Sequence, residues 1–259
     1  MTTPSNFSTT GLAAYAEQPL WGAGNFVRLS LNPWIETYTH TIAANGGYES
    51  AAITMKLTQG DIEEWLENGL GRHITVINEG GSVRWEGFVN DIAAVLGGLT
   101  VKRGPLMAVA NRVRCIYSSV DTSVTPPAVG VRAKTAYSND TESQRYYGII
   151  EKILSTGGAD ETTVTYIQET FLEESAYTET TPEQIVVGGT GDLSITLNCR
   201  GYYDWLNVYT YGSTTAGNTT ISARIQAVLT ADPNGIISTD YSKITANTAV
   251  FPAYEQDDP

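Results

Sequence analysis

The chain is predicted to be a mainly β protein with a helical insertion (α+β), small β-barrel or sandwich modules flanking a helical block. Three observations predict this. Apolar and polar residues alternate over most of the stretch from Asn25 to Tyr117, the period of half-buried strands. From Thr141 to about Ala176 the period lengthens to that of a helix, and it returns to two at Leu193. Composition agrees: 34 Thr and 25 Gly stand beside only 17% charged residues, the balance of a sheet-rich chain with many turns.

Residues 1–24 read as an arm. Met1 to Thr10 is rich in Ser and Thr, and Trp21-Gly22-Ala23-Gly24 punctuates it before the first strand. Lacking a period yet carrying Leu12, Tyr15, Leu20 and Trp21, the arm is expected to order only on a neighbouring subunit. Residues 25–134 form the first β-barrel-like module. Val27, Leu29 and Leu31 alternate with Arg28 and Ser30; Ala51, Ile53, Met55 and Leu57 do the same with Thr54 and Lys56. A short acidic helix, Asp61–Asn68, ends at Gly69. Strands His73–Ile77, Val83–Val89, Leu99–Lys102 and Val109–Tyr117 follow, joined through hairpin-like Glu79-Gly80-Gly81 and Gly97-Gly98. So many short strands in so few residues argue for a barrel or sandwich.

Pro126-Pro127 marks a linker into the helical insertion, residues 135–182. Tyr146, Ile149, Ile150, Ile153 and Leu154 recur at helical spacing, from Thr141-Glu142-Ser143-Gln144 to a stop at Gly157-Gly158. A second helix, about Asp160 to Ala176, puts Val164, Ile167, Phe171 and Leu172 on one face, with Asp160 and Glu161 favoured in its first turn by the helix dipole. Residues 183–259 are a second β-rich module: Leu193, Ile195, Leu197 and Cys199 alternate with polar residues, an aromatic run follows, and a last helix spans Ile221–Leu229. The end at Glu255–Pro259 has no cap or terminal helix, so we expect the chain to be the ordered part of a longer polypeptide.

Several function classes are unsupported. A net charge of -13 disfavours nucleic-acid recognition, which needs clustered Lys and Arg. The longest apolar run, Ile92 to Val101, is half a membrane span and broken by Gly97-Gly98, so no membrane insertion is expected. Two Cys and two His make no metal cluster, and no cofactor is expected. The glycine-rich pieces lack a phosphate-loop Lys or a dinucleotide spacing. No nucleophile elbow is present, and a Cys–His pair such as Cys199 with His40 is the nucleophile–base arrangement left to consider. The chain is therefore expected not to be an enzyme. Tyr202, Tyr203, Trp205, Tyr209 and Tyr211 have two readings, a sugar-stacking face or a core or interface layer.

Charge placement carries more. From Gly98 to Lys134 six basic residues (Lys102, Arg103, Arg112, Arg114, Arg132, Lys134) face one acid, Asp121. From Ile153 to Cys199 there are eight acids, Glu169, Glu173 and Glu174 among them, and no Lys or Arg. Such separation points to complementary surfaces. Arg112 and Arg114 alternate with Val113 and Cys115, so both are expected to face outward from a strand. Lys102, Arg103, Arg112, Arg114, Glu169, Glu173, Glu174 and Trp21 are the candidate interface residues.

Gly46-Gly47-Tyr48-Glu49-Ser50-Ala51-Ala52-Ile53, then Trp65 to Ile74, then Trp85-Glu86-Gly87-Phe88-Val89-Asn90-Asp91-Ile92, resembles the first barrel of tail-tip and baseplate-hub proteins of tailed bacteriophages. Ser143-Gln144-Arg145-Tyr146-Tyr147-Gly148-Ile149-Ile150-Glu151 and Gly201-Tyr202-Tyr203-Asp204-Trp205-Leu206-Asn207 are similar to segments between and inside the hub barrels of siphophage-type tails. The resemblance implies a structural virion protein, made in the host cytoplasm: a hub-like ring subunit (trimer or hexamer) joining the tail tube to the distal receptor-binding apparatus. Implied partners are further copies of itself and the tail tube, distal tail, tape measure and receptor-binding proteins. The alternatives are a carbohydrate-binding β-sandwich using Tyr202–Tyr211 and, third, a glycan-degrading enzyme.

Overall fold

The computed structural model describes residues 11–19, 21, 28–43, 47–121, 128–186, 193–209, 214–215, 219–237, 241–244, 246–247, 249–251 and 254–255. It is mainly β, as the sequence predicts. The first sheet contains β1 (Leu12–Glu17), β2 (Leu29–Ser30), β3 (Ile35–Ala43), β4 (Gly47–Lys56), β5 (His73–Asn78), β6 (Val83–Leu96) and β7 (Leu99–Arg103). The second contains β8 (Arg112–Asp121), β9 (Ala128–Lys134), β10 (Ser138–Asn139) and β11 (Glu151–Ala159). Then come β12 (Thr180–Ile185) and β13 (Ser194–Arg200), both of which return to the first sheet. The helices are α1 (Gln59–Asn68), α2 (Thr141–Tyr147), α3 (Glu161–Ser175) and α4 (Ile221–Thr230).

The first sheet runs β2-β1-β5-β6-β13-β4-β3. Its two ends, β2 and β3, are separated only by residues 31–34. Leu31 N–H donates to Ala14 O of β1 and Lys56 N–H of β4 to Trp34 O, each at 2.9 Å, so this short link is tied to both ends of the sheet and curls it into a barrel-like form without pairing β2 to β3. Period two supplies the interior. Ile53 and Met55 of β4, Ile74 and Val76 of β5, and Ile195, Leu197 and Cys199 of β13 are all buried together. Helix α1, its Thr58 cap accepting from Asp61 N–H, adds Ile62, Trp65 and Leu66 to the same core. The hairpin Gly97-Gly98 joins β6 to β7, with Leu96 paired to Leu99 and Gly97 at φ +65°.

Three expectations about segments are corrected. The arm is not free of the subunit: β1 lies between β2 and β5, with Ala14 and Ala16 in the barrel core. Residues 1–10 of that arm, with 20 and 22–27, lie outside the described residues, as do Asn25 to Val27 of the predicted first strand. The first predicted helix stops at Tyr147, because Gly148 takes φ +73° and turns the chain. Residues 151–159 are then strand β11, parallel to β8, with Gly157-Gly158 inside it. The third correction concerns β13. It does not found a second module but fills the gap between β4 and β6, pairing with both.

What interrupts the barrel is a nested insertion. Strand β7 leaves it at Arg103, β12 returns at Thr180, and these two residues are cross-strand partners. The segment between enters and leaves through this two-stranded neck, and its base, with Leu106, Val109, Tyr147 and Ile150, packs into the barrel core. The insertion is the β8–β11 sheet with α3 packed on one face, and it has its own small core of Cys115, Tyr117 and Val164. The chain is thus divided as barrel, insertion and barrel again, with boundaries at the neck rather than at residues 134 and 182.

Candidate functional site

The charged segments meet in the insertion. In β8, Val113, Cys115 and Tyr117 point to α3, so Arg112 and Arg114 lie on the opposite face. Register extends that face sideways: Ile116 pairs with Lys134, Ser118 with Arg132, and Arg112 with Glu151. Arg112, Arg114, Arg132 and Lys134 therefore share one face of the sheet. On the other side, α3 presents Glu161, Glu169, Glu173 and Glu174 to solvent, with Tyr166 69% and Ile167 37% exposed among them. The basic and acidic segments stand back to back across a single sheet.

One side chain bolts the two layers together. Gln168, 1% exposed, donates from Nε2 to Val113 O at 2.7 Å, Ala136 O at 2.9 Å and Ser138 Oγ at 2.9 Å, while Thr135 Oγ1 donates to its Oε1. It ties α3 to β8 and to the chain between β9 and β10, and its own buried amide is fully satisfied there. Sequence reasoning missed it, although a Gln four residues after Val164 in an apolar stripe was the available signal. Helix α3 starts where its cap predicts: Asp160 accepts from Thr163 N–H and hydroxyl, bonds that hold its carboxyl below the usual range.

The predicted interface residues separate into two groups. Glu169, Glu173 and Glu174 are exposed on α3 as expected. Arg112 and Arg114 do not stand free on an outward face. Arg112 is ion-paired to the buried Glu151 carboxylate at 3.2 Å, and both guanidiniums stack over Tyr137, at 4.4 and 4.9 Å. The exposed cations of this face are Arg132 and Lys134. Lys102 is half-buried on β7. Arg103 is the clamp of the neck: its Nη1 donates to Leu66 O and to Glu67 O at 3.0 Å, its Nη2 to Tyr147 OH at 3.3 Å and its Nε to Thr178 Oγ1 at 3.4 Å. Trp21 is half-buried against the barrel core. It stacks on Trp205 at 5.0 Å and 12°, lies against Gly148 where a Cβ would sit 3.0 Å from its ring, and donates to Tyr146 O at 3.0 Å.

The aromatic run is core. Trp205 is 0% exposed and meets Phe88 edge-on at 5.2 Å; Tyr209 is buried, and Tyr202 stacks on His73 while bonding its Nδ1 at 2.7 Å. Among the described residues of the run only Tyr203 is exposed, so Trp205 and Tyr209 offer no face on which a sugar could stack; Tyr211 lies outside the described residues. His40 and Cys199 both line a 360 Å³ cleft across β3, β4 and β13. Burial, reinforced by Asp91, pushes the Cys199 thiol up, away from the thiolate a nucleophile requires. Cys115 and Cys199 are free thiols in different cores. Among the described residues no group of His, Cys, Asp and Glu is placed to hold a metal ion, and no helix is long and apolar enough to cross a membrane. No family model, curated protein or solved structure matches the chain.

Proposed function

We propose that the chain is a structural virion protein of a phage tail tip, a hub-like subunit that closes a ring head to tail between the tail tube and the distal receptor-binding apparatus. The observation that carries this reading is the insertion's two faces. Arg132 and Lys134 lie on one side, Glu169, Glu173 and Glu174 on the other. Ring closure by a heterologous contact needs two different, complementary patches on one chain, facing away from each other. Opposite charges set register and discourage wrong pairings. Each exposed pair contributes only about 0 to 1 kcal/mol, so exposed apolar groups such as Tyr166, Ile167 and Val131 (81% exposed) supply the affinity.

The test uses the purified chain in the electron microscope and by sedimentation across a salt series. Rings or short oligomers are expected, forming more slowly as salt rises. Arg132→Glu with Lys134→Glu should block them in a folded subunit, and adding Glu169→Lys with Glu173→Lys should restore them. Oligomers indifferent to salt and to the reversal would remove the charged faces from the interface. A chain that stays monomeric at all concentrations would overturn the ring reading.

A further inference from the structure

A groove of 620 Å³ runs along the junction of barrel and insertion, between α1 and α2. Its aromatic side is Trp21, Tyr146 (60% exposed), Tyr147 and Tyr177 (44% exposed). Its polar lining is Glu64, Glu67, Asn68 and Arg72 from α1 and the following turn, and Arg145 from α2. The aromatic side is held in place rather than loose. Tyr146 and Tyr147 lie 6.4 Å apart, Tyr147 meets Tyr177 edge-on at 6.2 Å, and the Tyr177 hydroxyl donates to Asp140 at 3.3 Å.

We propose that this groove binds a neutral oligosaccharide, with a sugar ring stacked on Tyr146 and its hydroxyls held by Asn68, Glu67 and Arg145. The inference is independent of the tail-tip reading and uses different residues from the buried Tyr202–Tyr211 run. Three observations select the ligand class. First, the charges cancel. Arg72 is ion-paired with Glu64 at 3.5 Å, and Arg103 is spent on the neck. That leaves Glu67 and Arg145, one of each sign and neither in an ion pair among the described residues, so an anion or a polycation gains nothing here. Second, the backbone acceptors are already used. Leu66 O and Glu67 O receive Arg103, and Asn68 O receives Arg72 Nε at 3.0 Å, which leaves an extended peptide little to pair with along α1. Third, what remains is flat amide, carboxylate and guanidinium groups lining the same groove as the exposed rings of Tyr146 and Tyr177. That combination takes paired hydroxyls on one side and the C–H face of a sugar on the other.

The experiment titrates the full chain with neutral di- to tetrasaccharides of glucose, galactose, rhamnose and N-acetylglucosamine, following indole fluorescence, because Trp21 lines the groove. Saturable binding of at least one is expected, weakened about tenfold in Tyr146→Ala and in Asn68→Ala. Both side chains are exposed, so circular dichroism should show an unchanged fold, and the Arg132→Glu, Lys134→Glu variant should bind as the wild type does. Absence of saturable binding across the panel overturns the proposal, as does binding that both groove substitutions leave untouched. Tyr146-dependent capture from an unstructured peptide library, with every saccharide inert, would reassign the groove to a peptide.

Discussion

Gln168 shows how much rests on one amide. Its replacement by Leu keeps the volume but removes the hydrogen bonds to Val113 O, Ala136 O and Ser138 Oγ, and the one that Thr135 Oγ1 donates to the amide oxygen, in a buried place. A loss of about 1–3 kcal/mol is expected from the buried hydrogen bonds removed. It should be read by urea unfolding, with Gln168→Glu as a control that keeps one acceptor but loses the donor. His73 makes a second residue-scale prediction. Its ring lies between the Tyr202 hydroxyl and Thr75 Oγ1, and burial holds its pKa below 6.5 against the opposing pull of Glu86 and Glu17, with Arg28 adding to the lowering. A group whose folded pKa lies below its unfolded value binds more protons when unfolded. Stability is therefore full above that unfolded value and falls as pH drops through it. Unfolding midpoints should decline from about pH 7.5 to about pH 5.5. His73→Gln should flatten that slope, and an equal slope in the variant would assign it to other groups. Neither residue announced its role in the sequence, because a buried amide or imidazole is identified only by what surrounds it.

Among the elements, β1 was not read as a strand, and β13 was read as a strand but placed in a second module rather than in the barrel. Leu12–Glu17 carries Ala at alternate positions, too weak an apolar signal to register as a strand, yet those small side chains suit the crowded interior where Ala14 and Ala16 are buried. Amide exchange should protect residues 12–17 in an isolated subunit as fully as β5, its partner. Fast exchange there, with protection only in an assembly, would restore the exchanging arm. Helices α1, α3 and α4 were legible nearly to the residue, since caps such as Thr58, Asp160 and Thr220 are local signals. The first insertion helix was overextended because Ile149, Ile150, Ile153 and Leu154 fit a helical stripe and a strand equally well; Gly148 decided between them.

For the whole molecule, the difference between the two cores sets the order of unfolding. The barrel core runs continuously from Ala14 to Tyr209 and takes in Leu106, Val109, Tyr147 and Ile150 at the base of the insertion. Beyond that base, among the described residues, the insertion's own cluster of buried apolar residues is Cys115, Tyr117 and Val164. Native-state hydrogen exchange should therefore open α3 and β9 in a subglobal step at lower free energy than β4, β6 and β13. A single common opening energy for both would mean that the Arg103 clamp couples them fully. Substituting Arg103→Met tests that coupling from the other side, since it should lower protection in α3 more than in β13.

Taken alone, the sequence determined the mainly β class, the hairpins at Glu79-Gly80-Gly81 and Gly97-Gly98, three helices and the separation of basic from acidic segments. All of these depend on neighbours within a turn or two, where period, caps and glycine conformations act. The tertiary structure alone decided that Ser194–Arg200 slots between β4 and β6, that residues between Arg103 and Thr180 form an insertion, and that the opposite charges stand back to back. An alternating strand such as β13 presents one apolar face to any partner of matching length. Which partner it takes depends on the gap left in a ring of strands far away in sequence, and pairing over such distances is set by core shape and loop closure rather than by the strand's own residues.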